Sequence, residues 1–178
     1  MDGGEYDYMR ACALAARGRY ASARSLFEGS GWGDCQARAE ACVQPWPKTG
    51  VLYRNPEVKG SSTELAVQFN TDPGTAMLVK IYTAGGVLAR TMFIGGTGKA
   101  KTSLPAGTYV IKDGTGRNWY GEEESFGSEG SYEIMTFEGG RQEVQLKKNY
   151  SSTITVNVQE EDPDAEGVGS DRESWSDF

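Results

Sequence analysis

No histidine occurs among the 178 residues. That absence removes Ser-His-Asp and Cys-His catalysis, histidine-ligated zinc and most general-base chemistry tuned near neutral pH. Apolar residues are also scarce, at 38% against roughly 45–50% for average domains that also count glycine. Part of the chain should therefore contribute to no core. No stretch approaches the roughly 18 consecutive apolar residues of a membrane span, so none is expected. Residues Met1 to Arg10 carry no basic run followed by an apolar segment, and no signal peptide is read there. Cysteine is limited to Cys12, Cys35 and Cys42, an odd count that does not make a disulfide framework. On one helix Cys35 and Cys42 would stand about 10 Å apart, too far to bridge. They read as small buried apolar residues, with a staple from Cys12 to Cys35 or Cys42 in an oxidising compartment as the alternative.

Excess positive charge is missing too. The segment from Gln159 to Phe178 holds eight acids against Arg172, which leaves 17 acids and 17 bases in the rest of the chain. A neutral body with an acidic tail lacks the clustered Lys and Arg that nucleic acid requires. DNA and RNA are excluded as expected partners, and no motif for a metal or cofactor stands in the sequence.

Glycine is abundant instead, 24 residues in all, nearly twice the usual roughly 7%, which favours turns over long helices. Helical spacing is confined to the first quarter. Met9, Cys12, Ala13 and Ala16 form one stripe that Gly18 interrupts. Ala23 and Phe27 share a face of a second helix from about Tyr20 to Glu28. Asp34 is placed to cap a third helix through Cys42, which Pro45 and Pro47 end. The pattern Gly18-x-Tyr20-x-x-Ala23-x-x-x-Phe27 resembles the junction and second helix of a tetratricopeptide repeat. Trp32-x-Asp34 followed by the helix to Cys42 is similar to the opening of a further repeat. That resemblance implies antiparallel helices docked on another part of the chain, or the last piece of a longer array.

After Pro47 the period changes to two. Leu65, Val67 and Phe69 alternate with polar residues, as do Val79 and Ile81. Gly85-Gly86 predicts a hairpin between this run and Val87–Ile94. Leu104-Pro105-Ala106-Gly107 reads as a type I turn into the strand Thr108–Lys112. Gly139-Gly140 predicts a hairpin between Tyr132–Phe137 and Glu143–Lys147. Ser152–Val158 closes the series, and Val51–Arg54 adds a short strand. The fold class is therefore mainly β: an antiparallel β-sandwich of about eight strands with a small N-terminal helical region. The expected division is 1–47 helical, 48–158 sandwich, and 159–178 a disordered acidic tail. The segment Leu104-Pro105-Ala106-Gly107-Thr108-Tyr109-x-Ile111 resembles the turn and strand of transthyretin-like and immunoglobulin-like modules, in which such a turn feeds an inward tyrosine. With Gly116-x-x-Trp119-Tyr120-Gly121 and Phe126-Gly127, the whole is similar to bacterial proteins that join such a sandwich to helical repeats. No activity comes with that resemblance.

The candidate site is the long gap from Asp113 to Ser131. Trp119 and Tyr120, beside Asn118 and Arg117, would form a stacking platform for a sugar or a peptide, with Arg117 or Glu122 orienting a polar group. The opposing reading folds Trp119 and Phe126 inward as plugs of the sandwich. Glu122, Glu123 and Glu124 read as a solvated acidic stretch, since no calcium-loop pattern accompanies them. Gly95-Gly96-Thr97-Gly98-Lys99 lacks the spacing of a phosphate loop and reads as a glycine hairpin. Trp175-Ser176-Asp177-Phe178 could serve as a docking peptide. The expected role is a non-catalytic binding or interaction module, presented outside the cytoplasm or at a cell surface, with a protein or glycan partner. A carbohydrate-binding sandwich is the alternative, and a carboxylate-based hydrolase stands further off.

Overall fold

The computed structural model describes residues 3–158, 169–174 and 177–178. Two compact units emerge, one of Met1–Trp46 with Gly116–Gly130 and one of Pro47–Thr115 with Ser131–Phe178. The division falls between Trp46 and Pro47, and the segment Gly116–Gly130 groups with the helices.

The first unit contains α1 (Gly3–Ala15), α2 (Tyr20–Ser30) and α3 (Cys35–Ala41). Tyr8, Ala11, Ala23, Phe27, Ala39 and Cys42 make its buried cluster. The Tyr8 ring meets Phe27 edge-on at 5.5 Å and Trp32 at 4.9 Å between centroids. Those contacts fix the rotation of α1, so Tyr8 and Ala11 face inward while Met9, Ala13 and Ala16 are exposed. The expected inward stripe is corrected accordingly. A Cβ on Gly4 would lie 2.3 Å from the Ser30 carbonyl oxygen, so this glycine permits the close approach of α1 and α2. Asp34 does stand at the N-cap position of α3, but its side chain makes no capping bond. Its carboxylate accepts instead from the Tyr8 hydroxyl and from Arg38 Nε, which hold it below the usual carboxylate range. All three cysteines are free thiols, and burial pushes the Cys42 thiol up.

The second unit contains β1 (Gly50–Arg54), β2 (Thr63–Asn70), β3 (Ala76–Thr83), β4 (Leu88–Gly95), β5 (Gly98–Leu104), β6 (Gly107–Gly116), β7 (Ser131–Thr136), β8 (Glu143–Leu146), β9 (Ser151–Asn157) and β10 (Gly169–Glu173). They form a larger sheet ordered β1-β4-β3-β6-β7-β10, with β8 also on β6, and a smaller sheet ordered β5-β2-β9. Leu65, Val67 and Phe69 from the smaller sheet and Met77, Val79, Ile81, Tyr109 and Ile111 from the larger one share a single core. That arrangement is a sandwich of two mainly antiparallel sheets, without closure into a barrel. The inward tyrosine is present: Tyr109 is buried and its hydroxyl donates to the Pro105 carbonyl at 2.6 Å.

Several connections differ from expectation. The β3–β4 hairpin forms, with Gly86 N donating to Thr83 O at 2.9 Å and Gly86 at φ 83°, the left-handed position of a three-residue loop. The Gly95–Lys99 stretch is not a hairpin, because β4 and β5 lie in different sheets. The Gly139–Gly140 turn does not pair its flanking strands into a ladder. Both pair with β6, β8 along Gly107–Val110 and β7 along Lys112–Thr115, since the ten residues of β6 are long enough to seat the two end to end. Strand β9 runs parallel to β2. The tail expectation is corrected in part: Gly169–Glu173 is a strand antiparallel to β7, while residues 159–168 and 175–176 lie outside the described residues.

Candidate functional site

The segment after β6 owes its path to α2. That helix begins at Tyr20 with Arg19 at the N-cap position and no side-chain cap of its own, so the backbone donors of its first turn need an acceptor from elsewhere. Glu124 supplies it. Its Oε2 accepts from Ala21 N at 2.6 Å and Ser22 N at 3.3 Å, while Oε1 accepts from Arg19 Nε at 3.0 Å and from the Ser22 hydroxyl. A carboxylate at a helix N-terminus is further favoured by the helix dipole. The Glu124 side chain is 1% exposed, so the expectation of a solvated acidic stretch fails at this position while Glu122 and Glu123 remain exposed. Ser125, at φ 51°, and the bond from Tyr120 N to Ser125 O at 2.8 Å turn the chain so that Glu124 and Phe126 both enter the unit.

Trp119 is 3% and Tyr120 2% exposed. Trp119 meets Phe126 edge-on at 5.4 Å, and its carbonyl accepts from Gln44 N at 2.8 Å. The Tyr120 hydroxyl accepts from Arg24 Nη1 at 2.8 Å and donates to Glu129 at 3.3 Å; burial pushes this phenol up while Arg24 opposes the shift. Asn118 donates to the same Glu129 oxygen at 3.2 Å. Arg117 is exposed, and its carbonyl accepts from Trp46 Nε1 at 3.0 Å. The structure therefore brings Asn118 and Tyr120 together through Glu129 and leaves Arg117 and Glu122 outward. As placed, neither aromatic ring presents a face for stacking, which corrects the expected platform. A Cβ on Gly116 would meet the Phe126 ring at 2.6 Å, so the glycine read as part of a loose gap is a close-approach position.

Glu124 and Glu129 went unassigned by sequence reasoning. The usable signal for Glu124 was a helix start lacking Ser, Thr, Asp or Asn. Glu124→Gln keeps the shape but removes the charge and sets an amide N–H2 among donors. It should cost about 1–3 kcal/mol, the scale of hydrogen bonds to charged groups, read from urea unfolding followed by helical circular dichroism.

A second carboxylate lies in the sandwich unit. Asp113 is buried in register opposite Glu133 of β7. Asp113 alternates in phase with Tyr109 and Ile111, and Glu133 with Met135 and Phe137, so both occupy the core-facing side of the sheet. Among the described residues no group of three or more metal-ligating side chains occurs, and no helix is long and apolar enough to cross a membrane. No protein-family model, curated protein or solved structure matches this chain.

Proposed function

We propose that the chain is a non-catalytic interaction module whose partner is another polypeptide. The observation that carries this reading is the outer face of α1. Tyr6 is 56% and Met9 58% exposed, and with the exposed Ala13 they recur at helical spacing along about 10 Å of helix, with Ala16 exposed just past its end. The inner face of the same helix is already filled by Tyr8 and Ala11. The Arg10 guanidinium sits 5.7 Å from the Tyr6 ring centroid, and Arg17 is exposed beyond Ala16. Large side chains at one end, small ones at the other and flanking cations fit an amphipathic partner helix with small apolar residues and acids. The resemblance of residues 18–27 to a tetratricopeptide hairpin, a scaffold of packed helices, supports the same reading.

A glycan-binding version would need a stacking ring outside the Gly116–Gly130 segment, whose aromatics are buried. A carboxylate hydrolase would draw on Asp113 and Glu133, which face the core. Panning a displayed library of helical peptides should enrich sequences with small residues and acids on one face. Tyr6→Glu with Met9→Glu should then weaken them by about 30-fold or more, the factor matching a hot-spot loss of about 2 kcal/mol. Enrichment that the double variant retains would refute the assignment.

A further inference from the structure

The outer face of the larger sheet, beside β7, already holds a peptide. Strand β10 adds to the edge of β7 with Gly169 opposite Thr136 and Glu173 opposite Tyr132. Beyond it the chain is fastened to side chains that point away from the core, on the alternate positions of β3 and β6. Lys112 Nζ pairs with Glu173 and donates to the Asp177 carbonyl at 3.1 Å. Lys80 Nζ donates to the Phe178 carbonyl at 2.9 Å and lies 4.2 Å from the centroid of its ring. The Tyr82 hydroxyl donates to the same carbonyl at 3.3 Å. The Phe178 ring packs against Tyr132 at 4.8 Å. It rests over Gly114, where a Cβ would come within 2.8 Å of Tyr132 and 3.2 Å of Phe178. Nearer the start of the strand, Gln142 donates to Asp171 at 2.9 Å.

These parts divide as a receptor and a ligand. The receptor is the β7 edge whose backbone pairs with β10, together with two lysines, two tyrosines and a glycine-floored seat. The ligand is the strand Gly169–Glu173 of an acidic sequence, with Phe178 five residues after the paired glutamate. Backbone pairing supplies sequence-tolerant attachment, and the lysines and the aromatic seat supply selectivity. Glu173 Oε2 is buried and makes no hydrogen bond, which leaves the present occupant imperfectly satisfied.

We propose that the β7 edge with Lys80, Tyr82, Lys112 and Tyr132 is a binding site for acidic peptides that add a strand and bear a phenylalanine anchor, and that strand β10 with Phe178 is its tethered, exchangeable occupant. The site is separate from the α1 face, so either assignment can fail without the other.

The test uses the full chain and a fluorescent synthetic peptide of the sequence from Gly169 to Phe178. Glu173→Ala with Phe178→Ala weakens the tethered segment and should raise affinity for the added peptide at least about tenfold over the unaltered chain. Adding Lys80→Met should return binding to background, and a scrambled peptide of the same composition should not bind. A folded double variant that ignores the peptide, or binds it and its scramble alike, overturns the proposal. So does a double variant that no longer folds, because the segment is then an integral strand and not an exchangeable ligand.

Discussion

Trp119→Ala is expected to lower stability by about 3–5 kcal/mol, the range for truncating a fully packed large aromatic. The indole is buried, lies edge-on to Phe126, and belongs to the turn that carries Glu124 to the start of α2. Its removal opens a void that the surrounding backbone, tied by Gln44 N to Trp119 O and Tyr120 N to Ser125 O, has little freedom to close. Against the 5–15 kcal/mol typical of a whole domain the loss is severe. It should appear first in the helical signal at 222 nm during urea unfolding. A variant with wild-type stability would mean that the ring faces solvent, as the stacking reading requires.

Asp113→Asn is expected to act in the opposite direction, by an amount that grows as pH rises from about 4 to about 7. Burial, with the Glu133 carboxylate opposite, pushes the Asp113 carboxyl from its ordinary 3.8 up to about 7. Between those values the folded chain holds a proton that the unfolded chain has released. Stability therefore falls as pH rises from about 4 to about 7 and levels off above that. At about 1.4 kcal/mol per pH unit the loss is on the order of 4 kcal/mol by pH 8. Asparagine has the same shape and never ionises, so the variant should melt well above the parent at pH 8 and close to it at pH 4. Equal shifts at both pH values, or destabilisation at pH 8, would show that Asp113 does not hold a proton in the fold.

Periodicity exposed the elements whose burial is one-sided. Ala23 and Phe27 were legible because a four-residue spacing has one inward solution, and β2 because Leu65, Val67 and Phe69 alternate without interruption. Two apolar faces on α1 defeated the same reasoning: Met9, Ala13 and Ala16 repeat as regularly as Tyr8 and Ala11, and only the contacts of Tyr8 with Phe27 and Trp32 decide between them. Glycine misled in a different way. Gly114 and Gly116 fell in the gap after Lys112, yet β6 runs to Gly116, with the rings of Tyr132 and Phe126 where the two missing side chains would be. Strand direction left no trace in alternation, which is why the parallel β2–β9 pair was not expected. The β10 strand was hidden by acidic composition, since backbone pairing with β7 and the Lys112–Glu173 ion pair hold it. Nothing local to Glu122-Glu123-Glu124 marks the third acid as buried; its role is set by a helix start a hundred residues earlier in the chain.

Hydroxyl-radical footprinting reads Met, Tyr and Trp side chains one by one and so reaches the central claim directly, that partners meet the outward apolar groups of α1 while the aromatic segment after β6 is internal. In the free chain Tyr6 and Met9 should oxidise rapidly and Trp119 and Tyr120 slowly. With a selected helical partner bound, protection should appear at Tyr6 and Met9 and leave Trp119 and Tyr120 unchanged. Rapid oxidation of Trp119 and Tyr120 in the free chain, followed by their protection on binding, would contradict the account.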